Sequence, residues 1–179
     1  MLGMRAFSRH DPDRFALTAL NTALGGGMSS RLFEEVREKR GLAYAVYSYR
    51  IAFDDTGALA VYAGTGPGRV DEVLDVIDAE LDRLVNEGGI SARELDAAKG
   101  HLKGSMALSL ESSTSRMNRI GSSELTMREI LSLDELVQRV DAVTPEAVER
   151  VVDRVVAQGE RSLAVIGPID ESAFTARVA

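Results

Sequence analysis

An arginine and a tyrosine seven residues apart could act together on one substrate group. Arg37 lies in the last turn of a predicted helix, and Tyr44 begins a predicted strand on the far side of Gly41. Glycine readily reverses the chain after a helix, so the two side chains can converge on one cleft. A guanidinium and a phenol in that arrangement can hold a peptide carbonyl or stabilise an oxyanion.

The same two residues also fit a purely structural interpretation. Arg37 can form an ordinary salt bridge at the surface, and Tyr44 can be a half-buried strand residue. Both roles are common for these residue types. Taken without further context, the two residues favour this structural interpretation over a catalytic pair.

A segment of small residues precedes the arginine-rich helix. Its members are Gly25, Gly26, Gly27, Ser29 and Ser30. Glycine runs before helices often bind phosphate through free backbone N–H groups. A Walker loop, however, ends in Gly-Lys-Ser/Thr, and no lysine follows Gly27 here. A second glycine-rich segment, 64–68, lacks the acidic partner that a ribose needs, so we predict a structural turn there as well.

Metal chemistry and thiol chemistry find little support. The chain has no cysteine and only two histidines, His10 and His101, which lie far apart and outside any His-x-x-Glu-His motif. A zinc enzyme normally supplies about three protein ligands. We therefore predict that His10 is a loop residue, that His101 lies on a helix face, and that this chain holds no metal and no other cofactor.

Composition narrows the class of protein further. The 179 residues are 45% hydrophobic and 27% charged, with a net charge of −7, which is typical of a globular domain with its own core. The negative charge argues against a nucleic-acid partner, and no apolar run reaches the ~20 residues of a membrane helix. We expect a cytoplasmic protein that binds neither nucleic acid nor membrane.

Turn and capping signals divide the chain into the elements that must position these residues. We predict strands at 2–7 and 161–167 and a hairpin with its tip at 54–57. We predict a helix capped by Asp11 and Pro12, a helix at 30–40 and a long helix over 70–85. Further helices are opened by Ser91, Ser132 and Thr144, and a broken helix runs through the serine-rich segment. Together they predict one α+β domain over residues 1–179, a two-layer sandwich in which helices pack on a mixed, mostly antiparallel sheet.

The run LGGGMSSRLFEEVREKRGLAY, residues 24–44, resembles a stretch in the second half of the pitrilysin/insulinase-type zinc peptidases, in the mitochondrial processing peptidase branch. Those enzymes are inverzincins, with the metal motif His-x-x-Glu-His. The similarity extends through LGMRAF, DPDRFALTALNTALGGG, the hairpin AYAVYSYRIAFDDTGALAVYAGT and the helices ELDAAKGHLKGSMALSLESSTSRMNRIG.

The resemblance implies the C-terminal half of a zinc metalloendopeptidase whose two α+β halves close around an extended peptide. The zinc, and the glutamate that acts as general base, would lie in the missing N-terminal half. Arg37 and Tyr44 match a pair that reaches the substrate backbone near the scissile bond. The glycine segment matches a turn and hinge at the cleft wall, which the non-catalytic processing-peptidase subunit expands into a long loop.

The partners that the resemblance implies are the metal-bearing half and a peptide substrate, and we expect the isolated chain to be inactive and to form homo-oligomers.

Two other functions stay open at this point. A non-catalytic scaffold, like the core subunits that this family contributes to respiratory complexes, would keep the fold without chemistry. A nucleotide-binding module is disfavoured because the phosphate-binding lysine and the acidic partner are both missing.

Overall fold

The structure is a computed structural model that describes residues 1–127, 129–168 and 174. Four strands form one sheet in the order β2-β3-β1-β4, and every described strand pair is antiparallel. The strands are β1 (Leu2–Ala6), β2 (Ala43–Ala52), β3 (Gly57–Thr65) and β4 (Arg161–Leu163). The predicted α+β fold is confirmed. The prediction of a mixed sheet gives way, in the described part, to antiparallel pairing alone.

In the described ranges, six α-helices and three shorter helical segments connect and cover the strands. The α-helices are α1 (Arg14–Gly25), α2 (Val70–Asn86), α3 (Ala92–Ser109), α4 (Ser113–Thr126), α5 (Leu133–Asp141) and α6 (Pro145–Val151). The shorter segments are the π-helices Phe33–Glu38 and Val152–Ala157 and a 3-10 turn at Pro67–Arg69. α1 packs against β2 and against α3, so the helices form a layer on one face of the sheet.

Local signals placed most of these boundaries correctly. Ser91 and Ser132 each open a helix through a capping box with the glutamate three residues on, and the Thr144 side chain accepts the N–H of Ala147. The hairpin turns after Phe53, whose N–H donates to the carbonyl of Thr56 at 2.8 Å. The predicted break in the serine-rich segment is also confirmed, between α3 and α4.

The predicted start of α1 is wrong. Asp11 does not cap the helix; its carboxylate accepts the N–H of Asp13 at 2.8 Å, and the helix begins at Arg14. Both carboxylates are held by ion pairs at 3.0 Å with Arg150 and Arg154 from the C-terminal helices. A tertiary contact therefore replaces the local cap.

The helix predicted at 30–40 is wider than an α-helix. The N–H of Lys39 donates to the carbonyl of Glu34, five residues back, at 2.9 Å. Gly41 ends it with φ of +59°, and the N–H of Leu42 reaches back to the carbonyl of Val36 at 2.9 Å. Leu42 and Val36 are both buried, as predicted for the hydrophobic contact beside a glycine cap.

The two faces of the sheet differ in what they carry. Leu59, Val61 and Val46 point into the core, together with Leu20 and Leu24 of α1. The opposite face carries tyrosines that pack on one another, with ring centroids 5.0 Å apart for Tyr47–Tyr62 and 6.0 Å apart for Tyr47–Tyr49. An antiparallel sheet can leave one face uncovered, and this face is the uncovered one.

A buried arginine joins the glycine-rich segment to the helical layer. Arg31 is only 7% exposed, and its guanidinium binds both oxygens of Glu94 at 2.5 and 2.8 Å and one oxygen of Glu87 at 3.1 Å. The hydrogen bonds from Arg31, aided by those from Ser91, lower the pKa of Glu94 to about 2. No sequence signal predicted this ion pair.

We predict that Glu94→Gln lowers the free energy of unfolding by about 2–3 kcal/mol at neutral pH, because it leaves Arg31 buried beside a weaker partner. The carboxylate has a lower pKa when folded than its ordinary value of 4.5. Its contribution is therefore complete above pH 4.5 and disappears as the pH falls toward 2. Urea unfolding at neutral pH and near pH 3 measures both effects.

Glu124→Gln is the matched control for this prediction, since Glu124 is exposed on α4 and its removal changes the charge equally. We expect it to leave stability within about 0.5 kcal/mol of the parent chain. An equal loss in both variants, or a Glu94→Gln loss that does not shrink at low pH, would contradict the structural role of the pair.

Candidate functional site

Arg37 and Tyr44 lie against each other. The guanidinium carbon of Arg37 is 5.5 Å from the centroid of the Tyr44 ring and 5.0 Å from that of Phe33. Both distances fall within the range of cation–π attraction. The chain reversal at Gly41 therefore brings the two side chains together, as the spacing predicted.

A β-bulge directs Tyr44 outward. Ala43 pairs with Thr65 and Ala45 pairs with Gly64, so Tyr44 is the extra residue between two successive pairs. Bulges commonly re-aim a side chain next to a functional site. The Tyr44 side chain is accordingly 86% exposed, and its hydroxyl has no hydrogen-bond partner among the described residues. It is not the half-buried strand residue of the structural interpretation.

Arg37 is left free because its basic neighbours take the nearby carboxylates. Lys39 binds Glu34 at 2.9 Å and Glu35 at 2.7 Å, and Arg40 also binds Glu35. Within the described ranges, Arg37 is exposed and forms no ion pair. Its guanidinium therefore keeps its hydrogen-bond donors available to a ligand.

An open groove runs beside this pair, between the start of β2 and the end of β3. Segments 41–45 and 64–66 line it, together with Arg69. Arg69 donates to the carbonyl of Gly41 at 2.9 Å, and the hydroxyl of Thr65 donates to the carbonyl of Leu42 at 2.6 Å. These two bonds fix the chain on the side of the groove from which Tyr44 projects.

The glycine segment combines one packed position with two exposed ones. Gly25 ends α1 directly against β2, where an added Cβ would lie 2.3 Å from the backbone nitrogen of Ser48. Gly26 and Gly27 are exposed, and Gly27 has open space around it. The predicted turn is confirmed, whereas the predicted hinge and the contact with a substrate stay predictions.

The two serines of this segment differ in the same way. Ser29 is exposed, but Ser30 is 2% exposed and its hydroxyl donates to the carbonyl of Gly27 at 2.6 Å. Ser30 therefore closes the turn from inside and stands next to the buried Arg31. Of the two, only Ser29 faces the solvent.

The residues present do not fit a zinc site. The imidazole of His10 lies 2.6 Å from a carboxylate oxygen of Asp54 in the hairpin turn, while His101 is exposed on α3. Across residues 1–127 and 129–168, no three histidine, aspartate or glutamate side chains converge as metal ligands would. Both histidines occupy the loop and helix positions that the sequence predicted.

No described helix is long and apolar enough to span a membrane.

The fold and this site define an α+β domain that presents an exposed arginine and an exposed tyrosine beside an open sheet face, without a cluster of metal ligands in its described part. Comparison with protein families identifies the family. Residues 1–102 match the family model described as the peptidase M16 inactive domain. The chain belongs to the peptidase M16 family, and the resemblance to zinc peptidases is confirmed.

Individual relatives agree with this family. An uncharacterized zinc protease of Streptomyces coelicolor is 51% identical over 96% of this chain and 37% of its own length. The crystal structure of a protease from Helicobacter pylori superposes with a TM-score of 0.78 at 26% identity, over 89% of this chain and 39% of that chain.

A third relative carries the family description itself. The peptidase M16 inactive domain from Pseudomonas fluorescens superposes with a TM-score of 0.75 at 27% identity, over 86% of this chain and 37% of that chain. The present chain therefore spans little more than a third of the length of these relatives.

We predict opposite effects of alanine at two neighbouring glycines. Gly25→Ala should destabilise the fold by about 1–3 kcal/mol or more, because the new methyl group would collide with the backbone of β2. Gly27→Ala has room for its methyl group and should be neutral or stabilising by up to about 1 kcal/mol, since it restricts the unfolded chain. Thermal melting of both variants measures these effects. Equal losses of stability in the two variants would contradict the close approach of α1 to β2.

Proposed function

We propose that this chain is the half of a zinc-dependent metalloendopeptidase that holds the peptide substrate, and that it is inactive alone. The observation that carries this proposal is the unpaired, exposed Arg37 stacked beside the outward-directed Tyr44. A scaffold would have no chemical reason to keep a free guanidinium and a free phenol together. Membership of the peptidase M16 family supports the same function.

In this proposal Tyr44 acts on the substrate carbonyl. Attack of water on a peptide bond places negative charge on the carbonyl oxygen, and a phenol aimed there donates a hydrogen bond that strengthens as the charge develops. Arg37 holds the peptide backbone nearby through its planar donors. The metal would belong to the other half of the parent protein, which supplies the hydrolytic centre.

Exposed apolar side chains support a partner half. None of the residues of α4 is buried, and Met117 is 65% exposed and Leu125 85% exposed. Leu108, near the end of α3, is 69% exposed. Where such side chains adjoin, the surface that they form commonly marks an interaction site. We therefore propose that the end of α3 together with α4 is covered by the rest of the parent protein or by a partner subunit.

We predict that Tyr44→Phe lowers turnover about a hundred- to a thousandfold, the typical cost of one donor to an oxyanion, without lowering the melting temperature. The experiment uses this domain joined to or mixed with its metal-bearing half, and measures peptide hydrolysis beside thermal melting. Arg37→Lys should weaken substrate capture as well as turnover, because lysine lacks the planar donor fork.

Tyr47→Phe is the matched control, since it removes a phenol from the same strand while keeping the stacked ring. We expect nearly unchanged turnover from it. Full activity in the Tyr44 and Arg37 variants, or a loss that only follows the melting temperature, would show that the pair is structural. The scaffold function would then be the better explanation.

We also predict that the isolated chain self-associates through the apolar surface of α3 and α4, and that the metal-bearing half suppresses this association. Leu125→Ser should reduce the self-association seen by sedimentation, whereas Met28→Ser, which removes an equally exposed apolar side chain from the glycine turn, should not. A monomer at all concentrations, with no binding of a hydrophobic dye, would contradict the prediction.

A further inference from the structure

A second pocket lies on the helical side of the molecule, away from the Arg37–Tyr44 pair. Its volume is about 360 Å³, and it is enclosed by α1, the end of β2, α3, α4, the following loop and α5. β2 reaches it at Arg50, six residues beyond Tyr44, which corresponds to about 20 Å along an extended strand. The pocket is therefore separate from the groove beside Tyr44. We call it the arginine pocket.

Four arginines line the arginine pocket against a single described carboxylate. The arginines are Arg9, Arg14, Arg50 and Arg119, and the carboxylate is that of Glu129, which binds Arg14 at 3.1 Å. The whole chain has a net charge of −7, so this concentration of positive charge runs against its overall balance. Like charges brought together repel one another unless an anion lies between them.

Two of these guanidinium groups are anchored but not satisfied. Arg9 donates to the carbonyl of Ala52 at 3.1 Å, and Arg119 donates to the carbonyl of Leu131 at 2.8 Å. In both, the Nε atom is buried and has no hydrogen-bond partner. Buried donors in folded proteins nearly always have a partner, so an acceptor from outside the described residues is expected at this place.

Arg50 lines the arginine pocket from the end of β2 with an exposed side chain. It forms no hydrogen bond and no ion pair within the described part of the chain, and its nearest charged neighbour with an effect on it is another cation, Arg14. An anion in the arginine pocket would offset the repulsion between the charges of Arg50 and Arg14.

Most of the remaining wall of the arginine pocket is apolar. It is formed by Phe15, Met106, Met127, Leu131, Leu136 and Val140. An apolar wall beside a few convergent polar groups is the usual composition of a small-molecule site, and the volume falls in the usual range. Two flexible methionines allow the wall to fit more than one shape.

We propose that the arginine pocket binds an organic anion, a carboxylate or a phosphate group joined to an apolar body. The oxyanion accepts hydrogen bonds from the arginines, and the apolar body lies against Phe15 and the aliphatic side chains. Planar guanidinium groups suit both carboxylate and phosphate oxygens. A bare inorganic anion would leave the apolar wall unfilled, and a neutral lipid would leave the cations unpaired.

The test is a calorimetric titration of the chain with octanoate and with octyl phosphate, each below its micelle-forming concentration. Octanol, acetate and inorganic phosphate are the comparison ligands, since each lacks either the charge or the apolar tail. We expect saturable binding, one ligand per chain, at least tenfold tighter for octanoate or octyl phosphate than for any comparison ligand. The tighter of the two identifies the anionic group.

Variants locate the binding. Arg50→Gln should weaken binding about tenfold, the effect of one charge-assisted hydrogen bond, and Arg50→Lys should restore part of it. Arg93→Gln is the matched control, because Arg93 is exposed on α3 outside the arginine pocket. Melting temperatures of the free variants show that the fold is intact, as expected for an arginine without partners.

Four results would overturn the proposal. Absence of saturable binding would show that water or a segment of the parent protein satisfies the arginines. Equal binding of octanol would make the site merely apolar, and equal binding of inorganic phosphate would make it a general anion contact. Equal weakening by Arg93→Gln would place the binding elsewhere on the surface.

Discussion

The position of the candidate site depends on one buried arginine. Arg31 directly follows the turn at Ser30 and lies two residues before the start of the π-helix that carries Arg37. A guanidinium removed from water is costly unless carboxylates bind it, and Glu94 and Glu87 bind Arg31 through its Nε and Nη2 atoms. Because Glu94 also caps α3, a single carboxylate fixes both the start of α3 and the start of the arginine-rich segment. The position of the π-helix, and with it that of Arg37, depends on this ion pair.

In the same segment, three cations form ion pairs and a fourth remains available to a ligand. Arg31, Lys39 and Arg40 are all bound to glutamates, whereas Arg37 among them contacts only aromatic rings. Cation–π contact orients a guanidinium without using its hydrogen-bond donors. Arg37 is therefore held in place and still able to bind. The β-bulge does the equivalent for Tyr44, since it takes the side chain out of the pleat without breaking the pairing of β2 with β3.

Sequence reasoning succeeded where the physical cause is local and failed where it is tertiary. The capping boxes, the hairpin turn and the glycine stop at Gly41 depend on residues within six positions of one another, and all are predictable from the sequence. The late start of α1 was not, because the carboxylates of Asp11 and Asp13 are engaged by arginines about 140 residues away. The bulge at Tyr44 and the buried pair of Arg31 likewise depend on partners that no periodicity reveals. Gly25 belongs to a glycine run in the sequence, but only the distance from an added Cβ to the backbone nitrogen of Ser48 distinguishes it from Gly27.

The unsatisfied features of this domain support the proposal that it works as part of a larger protein. Four features have no partner within the described residues: a guanidinium, a phenol, a sheet face and a helix with no buried residue. Each costs little free energy alone, yet a protein that functions as a monomer seldom keeps all of them. The groove and α4 carry different chemistry: Arg37 and Tyr44 suit an extended peptide backbone, whereas α4 presents aliphatic side chains that suit another folded surface. Substrate and partner would then meet different sides of the molecule, so that binding the second half need not cover the groove in which the peptide lies. The chain covers 37% of a relative that is a zinc protease by name, which leaves ample sequence for the half that would bind α4.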